Sequence, residues 1–315
     1  MASLKEIKSR IASVRSTQKI TSAMRMVSSA KLHHAQGMME AFLRYKDGLD
    51  KIVQTLSPQT GQALPSPSMQ GESSILANEE TDGLDNRLNP QSSIFNHQSS
   101  TLLIPVSSNS GLCGAFNSNV AKATIQHMRE LESQGQTVRL LPIGKKIAHE
   151  LQRQGYDCNL GYYNLLDKVE KKGSYAEVTF LIEFAMQLHQ SGEIDSAEFI
   201  YHHFRSTGSQ VITIDRLPID IDQAQTQASK RDGWLTEPSP QELLIALSPR
   251  LLNAHAYGIL LDSLTSEHAA RMMAMQTADD NANDLLKELT LLYNKTRQQA
   301  ITNELIDIMG GKASN

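Results

Sequence analysis

Ser266 to Met309 reads SEHAARMMAMQTADDNANDLLKELTLLYNKTRQQAITNELIDIM, a stretch with neither proline nor glycine. It is rich in Ala, Leu, Met, Gln, Lys and Glu, which lose little side-chain freedom in a helix, so the composition predicts one unbroken α-helix. At roughly 1.5 Å per residue such a helix reaches about 66 Å, more than a compact domain needs. Met275, Ala278, Ala282, Leu285, Leu289 and Leu292 recur at alternating steps of three and four, the period of a coiled-coil seam that requires a partner helix. A phase slip is expected beyond Leu292, because Thr296 and Gln299 stand where apolar residues belong and the stripe resumes at Ile301, Leu305 and Ile308; such a stutter locally unwinds a supercoil. Gly310 and Gly311 are expected to stop the helix.

The partner is found at the other end of the chain. Ser3 to Leu56 lacks proline, and Ser3 followed by Glu6 has the spacing of a capping box. Leu4, Ile7, Ile11 and Val14 step by three, four and three, repeating the seam. From Ser16 to Ser29 the stripe thins into Ser, Thr and Gln, leaving Ile20, Met24 and Val27 as its apolar members. A self-sufficient zipper does not tolerate that, so this part is expected to pack against small residues or inside another protein. Residues 1–46 carry nine Lys or Arg against Glu6 and Glu40, which makes the first arm a basic rod although the whole chain has a net charge of −4. Basic helices also bind nucleic acid or anionic membranes; here the narrow stripe and missing aromatic anchors argue against both.

Composition bounds the rest. With 315 residues and 40% hydrophobic content, one or two domains with a real core are expected. Aromatic content of 5% with one Trp is low for an enzyme built round a large apolar pocket and ordinary for long helices. There is no run of 18 apolar residues, and the N-terminal stretch lacks a signal-peptide pattern, so a cytoplasmic chain without a membrane span is expected. Cys113 and Cys158 lie far apart without CxxC spacing and read as buried small hydrophobes.

Four parts follow: 1–56 as an N-terminal coiled-coil helix, 57–100 as a flexible insertion or linker crowded with Ser, Pro, Gly, Asn and Gln, 101–240 as a central α/β domain, and 241–315 as a C-terminal helical region. In the middle part 101–108 reads as a buried strand, 118–132 as a helix, 137–144 as a strand, 145–154 and 175–190 as helices, and 197–204 and 211–214 as strands. That βαβ pattern predicts a mixed or mostly parallel sheet covered by helices. Residues 215–240 read as a long polar loop, and a helix resumes near Gln241 with Pro249 as a kink or break.

The turn Ser107 to Asn117 is where a doubly wound fold would hold a phosphate. Its glycines fit neither GxGxxG nor GxxxxGK[ST], and Gly144-Lys145-Lys146 also lacks the preceding glycine, so tight strand-to-helix packing is the preferred reading over nucleotide binding. Ser266, Glu267 and His268 are neighbours on a helix and point in different directions, so they form no triad; Ser266 and Glu267 read as a helix start or a local hydrogen bond. The pairs His33-His34 and His202-His203 lack ligand spacing. Asp279, Asp280 and Asp284 read as a solvated face suited to the basic first arm. No cluster looks catalytic, and no cofactor or metal is implied.

The residues at both ends nevertheless form a recognisable set. MASLKEIKSRIASVRSTQKITSAMRMVSSAKL (1–32), GLCGAFN (111–117) and SEHAARMMAM, YNKTRQQAIT and ELIDIMGG (266–275, 293–302 and 304–311) resemble the gamma subunit of F-type ATP synthase. The resemblance covers both termini and most of the middle. It implies a fold of class α plus α/β: an antiparallel coiled coil of the terminal helices and a central Rossmann-like domain. It also implies a non-catalytic rotor shaft inside an α3β3 hexamer, coupling proton-driven c-ring rotation to ATP synthesis and hydrolysis at the β subunits. The expected partners are the α and β subunits, epsilon and the c-ring, not nucleic acid, with the chain peripheral to the cytoplasmic face of the bacterial inner membrane. By motif match Met24 and Arg25 fall at the catch loops, Arg271, Arg297, Gln298 and Thr302 at further stator contacts, and 221–233 at the foot that meets the c-ring and epsilon. A basic shaft suits an acidic catch loop, because exposed ion pairs bind weakly enough to slip. Asn109-Ser110 replaces the family's Asp-Arg ahead of GLCG, 57–100 is longer than the usual connector, and the chloroplast relatives' paired-cysteine insert is missing, so thiol control is not expected. Two readings from other classes are an α/β enzyme with helical arms, which tight nucleotide binding would reveal, and a basic nucleic-acid adaptor, which steeply salt-dependent DNA binding would reveal.

Overall fold

The computed structural model describes residues 3–56, 99–158, 161–162, 164–173, 175–217, 237 and 239–312. Nearly all of the insertion read at 57–100, and the foot read at 221–233, lie outside these residues. Ten elements follow in order: α1 (Leu4–Leu56), β1 (Ser100–Pro105), α2 (Phe116–Ser133), β2 (Thr137–Leu140), α3 (Lys145–Arg153), α4 (Leu165–Lys172), α5 (Tyr175–Gln190), β3 (Ser196–Ser206), β4 (Ser209–Leu217) and α6 (Pro240–Lys312).

The two long helices start where side chains offer an acceptor. Ser3 Oγ accepts the amide of Glu6 at 3.3 Å, and Ser239 Oγ accepts that of Glu242 at 3.2 Å, with Pro240 at the first helical position, where its missing N–H costs nothing. α6 is therefore longer than its sequence suggested, 73 residues or about 110 Å. Pro249 does not break it: the proline removes the donor that Ile245 O would receive, and Ser248 Oγ donates to that carbonyl at 2.8 Å instead. Ser266 and Glu267 lie in the middle of the helix, and the helix runs through Gly310 and Gly311 to Lys312. Part of α6 has the length and hydropathy of a membrane span, but its Leu252, Ile259, Leu260, Leu261 and Leu264 are buried in the protein core.

α1 and α6 pair antiparallel along nearly the whole of α1. Gln18 meets Asn283, Arg25 meets Gln276, and Phe42 meets Gly258, so closely that a Cβ there would lie 3.0 Å from Phe42 Cε1. The seam of α1 keeps an unbroken heptad, from Leu4, Ile7, Ile11 and Val14 through Gln18, Thr21, Arg25 and Ser28 to Leu32, Ala35, Met39 and Phe42, all buried or half-buried. Ile20 and Val27 are off it, at 58% and 57% exposure. On α6 the buried or half-buried stripe is Met275, Asp279, Ala282, Leu286, Leu289, Tyr293, Thr296 and Ala300. Leu285 and Leu292 are instead 43% and 46% exposed, one residue out of phase, while Met275, Ala282 and Leu289 are common to both phases. With Tyr293 and Thr296 as members there is no phase slip. Alanine at Leu289 should cost about 2–3 kcal/mol by chemical denaturation, and alanine at Leu292 no more than about 0.5 kcal/mol.

The strand order is β2-β1-β3-β4. β1 is parallel to β2 and β3, and β3 is antiparallel to β4. Both faces are covered, which is why β1 reads as an apolar run. Leu102, Ile104, Phe199 and Tyr201 pack with α4, α5, α6 and Phe42 of α1, while Leu103 and Ile200 pack with α2 and α3 on the opposite face. α4 has no counterpart in the sequence reading; Leu165, Leu166 and Val169 are buried, and Gly173 ends it in the left-handed conformation with φ 56°. Cys113 and Cys158 are both buried.

Candidate functional site

Two features set the long helix pair apart from an ordinary zipper. The first is a polar segment in its seam. Gln18 Nε2 donates to Asn283 Oδ1 at 2.6 Å, Arg25 donates to Gln276 Oε1, and Arg25 Nη1 lies 3.9 Å from Asp279 Oδ2. Thr21 is half-buried and Ser28 is buried. Polar residues at seam positions fix register and orientation at a cost in stability, so this stretch is aligned more than it is glued. Asp279 is buried and belongs to the seam rather than to a solvated face.

The second feature is a collar of buried ionic groups where the α/β domain grips the helices. Arg271 on α6, only 8% exposed, donates from Nη2 to Glu267 Oε1 at 2.7 Å and to Ser110 Oγ at 2.7 Å. Its Nε reaches Gly111 O at 3.4 Å, and its Nη1 lies 3.4 Å from His268 Nδ1. His268 Nε2 is 3.2 Å from Glu170 Oε1 of α4, and the same carboxylate is 2.9 Å from Lys31 Nζ of α1. One chain of contacts thus joins α1, α4, α6 and the loop after β1. His268, and secondarily Lys31, hold the Glu170 carboxyl down at about 2 against the opposing effect of burial. A depressed carboxylate stabilises the fold above its ordinary value of 4.5, and that contribution is lost as pH falls from there toward 2. Unfolding free energy should therefore drop by on the order of 2 kcal/mol across that window, and Glu170→Gln should flatten the drop in urea titrations.

The loop between β1 and α2 is built to meet this collar. Asn117 Oδ1 accepts both the amide of Ser108 at 3.0 Å and its hydroxyl at 2.9 Å. Leu112 has φ 65° and Gly114 φ 60°, and Gly114 turns against α6 where a Cβ would be 3.8 Å from Ala274 Cβ. Asn109 and Ser110, the departure from Asp-Arg, are both used: Asn109 Oδ1 accepts the amide of Lys145 at the start of α3 at 2.9 Å, and Ser110 holds Arg271. Gly144, the other glycine considered for phosphate binding, is packed on Ser107 with φ 101°. Among the described residues no group of three or more His, Cys, Asp or Glu is placed to hold a metal ion.

Residues 3–314 match the family model described as ATP synthase. The ATP synthase gamma chain of Parabacteroides distasonis is 45% identical over 314 residues, spanning 99% of each chain. The chain belongs to the ATP synthase gamma-chain family. The gamma chain of Rhodospirillum rubrum is 36% identical over 320 residues, again across 99% of both. Among solved structures, a chain of the Euglena gracilis mitochondrial ATP synthase in its OSCP/F1/c-ring assembly, rotational state 3, superposes with a TM-score of 0.66 at 18% identity, covering 99% of this chain and 94% of that one. A chain of the same organism's ATP synthase rotor gives 0.59 at 18% identity, covering 95% and 98%. The gamma-chain fold of paired terminal helices carrying a central α/β domain is thus shared at low identity.

Of the residues expected at gamma-chain stator contacts, Arg297, Gln298 and Thr302 are exposed and lie together near the end of α6, with Thr302 Oγ1 donating to Gln298 O at 2.9 Å. Met24 and Arg25 are half-buried, Arg25 turned toward α6. Arg271 is buried and spends its donors within the chain, on Glu267, Ser110 and Gly111. Lys31, Glu170 and His268 were missed, because a network of single residues from three elements leaves no spacing to read.

Proposed function

We propose that the chain is the rotor shaft of the central stalk of an F-type ATP synthase, coupling c-ring rotation to ATP synthesis and hydrolysis at the β subunits of α3β3 without itself being catalytic. The observation that carries this reading is the length mismatch of the helix pair. Continuing the Gln18 to Asn283 pairing brings Leu4, where α1 begins, level with Arg297. Beyond Ala300 every described side chain of α6 is exposed, with Ile301, Leu305 and Ile306 at 45%, 55% and 60%. A single helix tip bearing apolar residues suits a sleeve supplied by other chains, and the exposed Lys5, Lys8, Arg10, Arg15 and Lys19 suit acidic loops that must engage and release. Met24, Arg25, Arg297, Gln298 and Thr302 are the contacts proposed toward α3β3. The c-ring and epsilon are the partners proposed for the opposite end, which places the chain peripherally at the cytoplasmic face of the inner membrane.

Mixing the purified chain with α and β subunits tests the assignment. Co-elution as an α3β3γ complex that hydrolyses ATP is expected, and separate elution would sink it. Replacing Arg297 and Gln298 together with Ala should lower assembly or coupled synthesis while fold stability changes by no more than about 0.5 kcal/mol. Unchanged ATP synthesis in membrane vesicles would count against their role.

A further inference from the structure

The outer hairpin of the sheet is fastened to α6 by two histidine–carboxylate pairs that point in opposite directions. His203 Nδ1 of β3 is 2.5 Å from Asp262 Oδ2 of α6, and Asp262 Oδ1 also accepts the amide of Phe204 at 2.8 Å. His255 Nε2 of α6 is 3.3 Å from Asp215 Oδ2 of β4. His255 and Asp262 lie two helical turns apart, so both face the sheet. Tyr201, Ala254, Gly258 and Ile259 line a cavity of about 530 Å³ between α1, α6 and β3, with His203, His255 and Asp262 in its wall. The apolar part of this wall does not titrate; His203 does.

We infer that the His203–Asp262 pair, with His255 and Asp215 beside it, forms a proton-operated latch between the sheet and α6, closed while the His203 imidazole carries a proton and loosened when it loses it. A protonated His203 beside the Asp262 carboxyl gains an ion pair that the neutral ring lacks. Other charges face the same space: Glu40, Lys46, Asp47 and Asp50 from α1 across the cavity, and Arg205 on β3, which opposes a charge on His203. Tyr201 stays neutral, its ionisation pushed far up by burial and by Asp262 and Asp215. For His203 the hydrogen bond to Asp262 prevails over burial and Arg205, raising it above its ordinary 6.5. A raised histidine contributes fully below 6.5, and its contribution is lost as pH rises through the higher folded value. The inference stands on the geometry of the hairpin and is independent of the rotor assignment.

The test is amide exchange and histidine NMR on the full chain. Protection of the β4 amides, relative to those of β1, should fall at least about threefold as pH rises from about 6 to about 9. His203→Gln combined with His255→Gln should remove that dependence. Equal pH dependence in the double variant and the unaltered chain would overturn the latch. Should the double variant fail to fold, the imidazole titration of the unaltered chain decides: a His203 midpoint above the ordinary histidine value supports it, and a midpoint at or below that value overturns it.

Discussion

Gly144→Ala is expected to destabilise the α/β domain by about 3–5 kcal/mol. Gly144 ends the link from β2 to α3 with φ 101°, a region that L side chains rarely adopt, and an added Cβ would stand 2.1 Å from the carbonyl oxygen of Ser107 and 2.8 Å from its carbonyl carbon. Ser107 cannot give way. It is fully buried, its amide donates to Ile143 O at 2.9 Å, and its Oγ accepts the amide of Ile147 at 2.9 Å, capping the first turn of α3. Relief would require lifting the β2–α3 turn off β1 and breaking both bonds. Gly111, only a few residues beyond Ser107, has open space where its Cβ would go, so Gly111→Ala should change stability by no more than about 0.5 kcal/mol. Denaturant-dependent amide exchange at β1 and β2 measures both. A loss below about 1 kcal/mol at Gly144 would show that the packing described there is wrong.

Arg271→Ala should be nearly as costly, about 3–5 kcal/mol. The substitution removes the only cation within 4.0 Å of Glu267 among the described residues and leaves that carboxylate, 7% exposed, without its charge partner. The damage should be largely recoverable. Arg271→Met with Glu267→Gln keeps volume and removes both charges, so a double-mutant cycle should return more than half of the loss. Additive losses in the cycle would mean that the two side chains do not act as a pair. Because Arg271 also ties α6 to Ser110 and Gly111, the single variant should loosen the loop after β1 before it loosens the helices, visible as earlier proteolysis near Leu112.

The success and failure of sequence reading have the same physical source, which is whether a residue's type announces its burial. The strands were legible because β1 and β3 are covered on both faces and must be apolar throughout. The pairing of the two ends was legible for a similar reason, since Leu4, Ile7, Ile11 and Val14 have only one buried side to serve. The phase of the second seam was not legible. Leu285, Leu286, Leu289, Leu291 and Leu292 supply apolar residues to either of two phases one residue apart, and the residues that decide between them are polar: Asp279 is buried beside Arg25, Thr296 is half-buried, and Gln18 meets Asn283. Glu170 could not have been found either, because Lys31 and His268 approach it from opposite ends of the chain. The family motifs made up part of that deficit by pointing to Arg271, though its bonds to Glu267, Ser110 and Gly111 within the chain leave no pattern in the sequence.

Rotation of this chain within α3β3 is the direct test of its proposed role as the shaft. With α3β3 fixed to a surface and a probe attached to an exposed residue of the α/β domain, addition of ATP should drive continuous rotation of the probe in one direction. ATP hydrolysis by the same complexes with the probe stationary would contradict it.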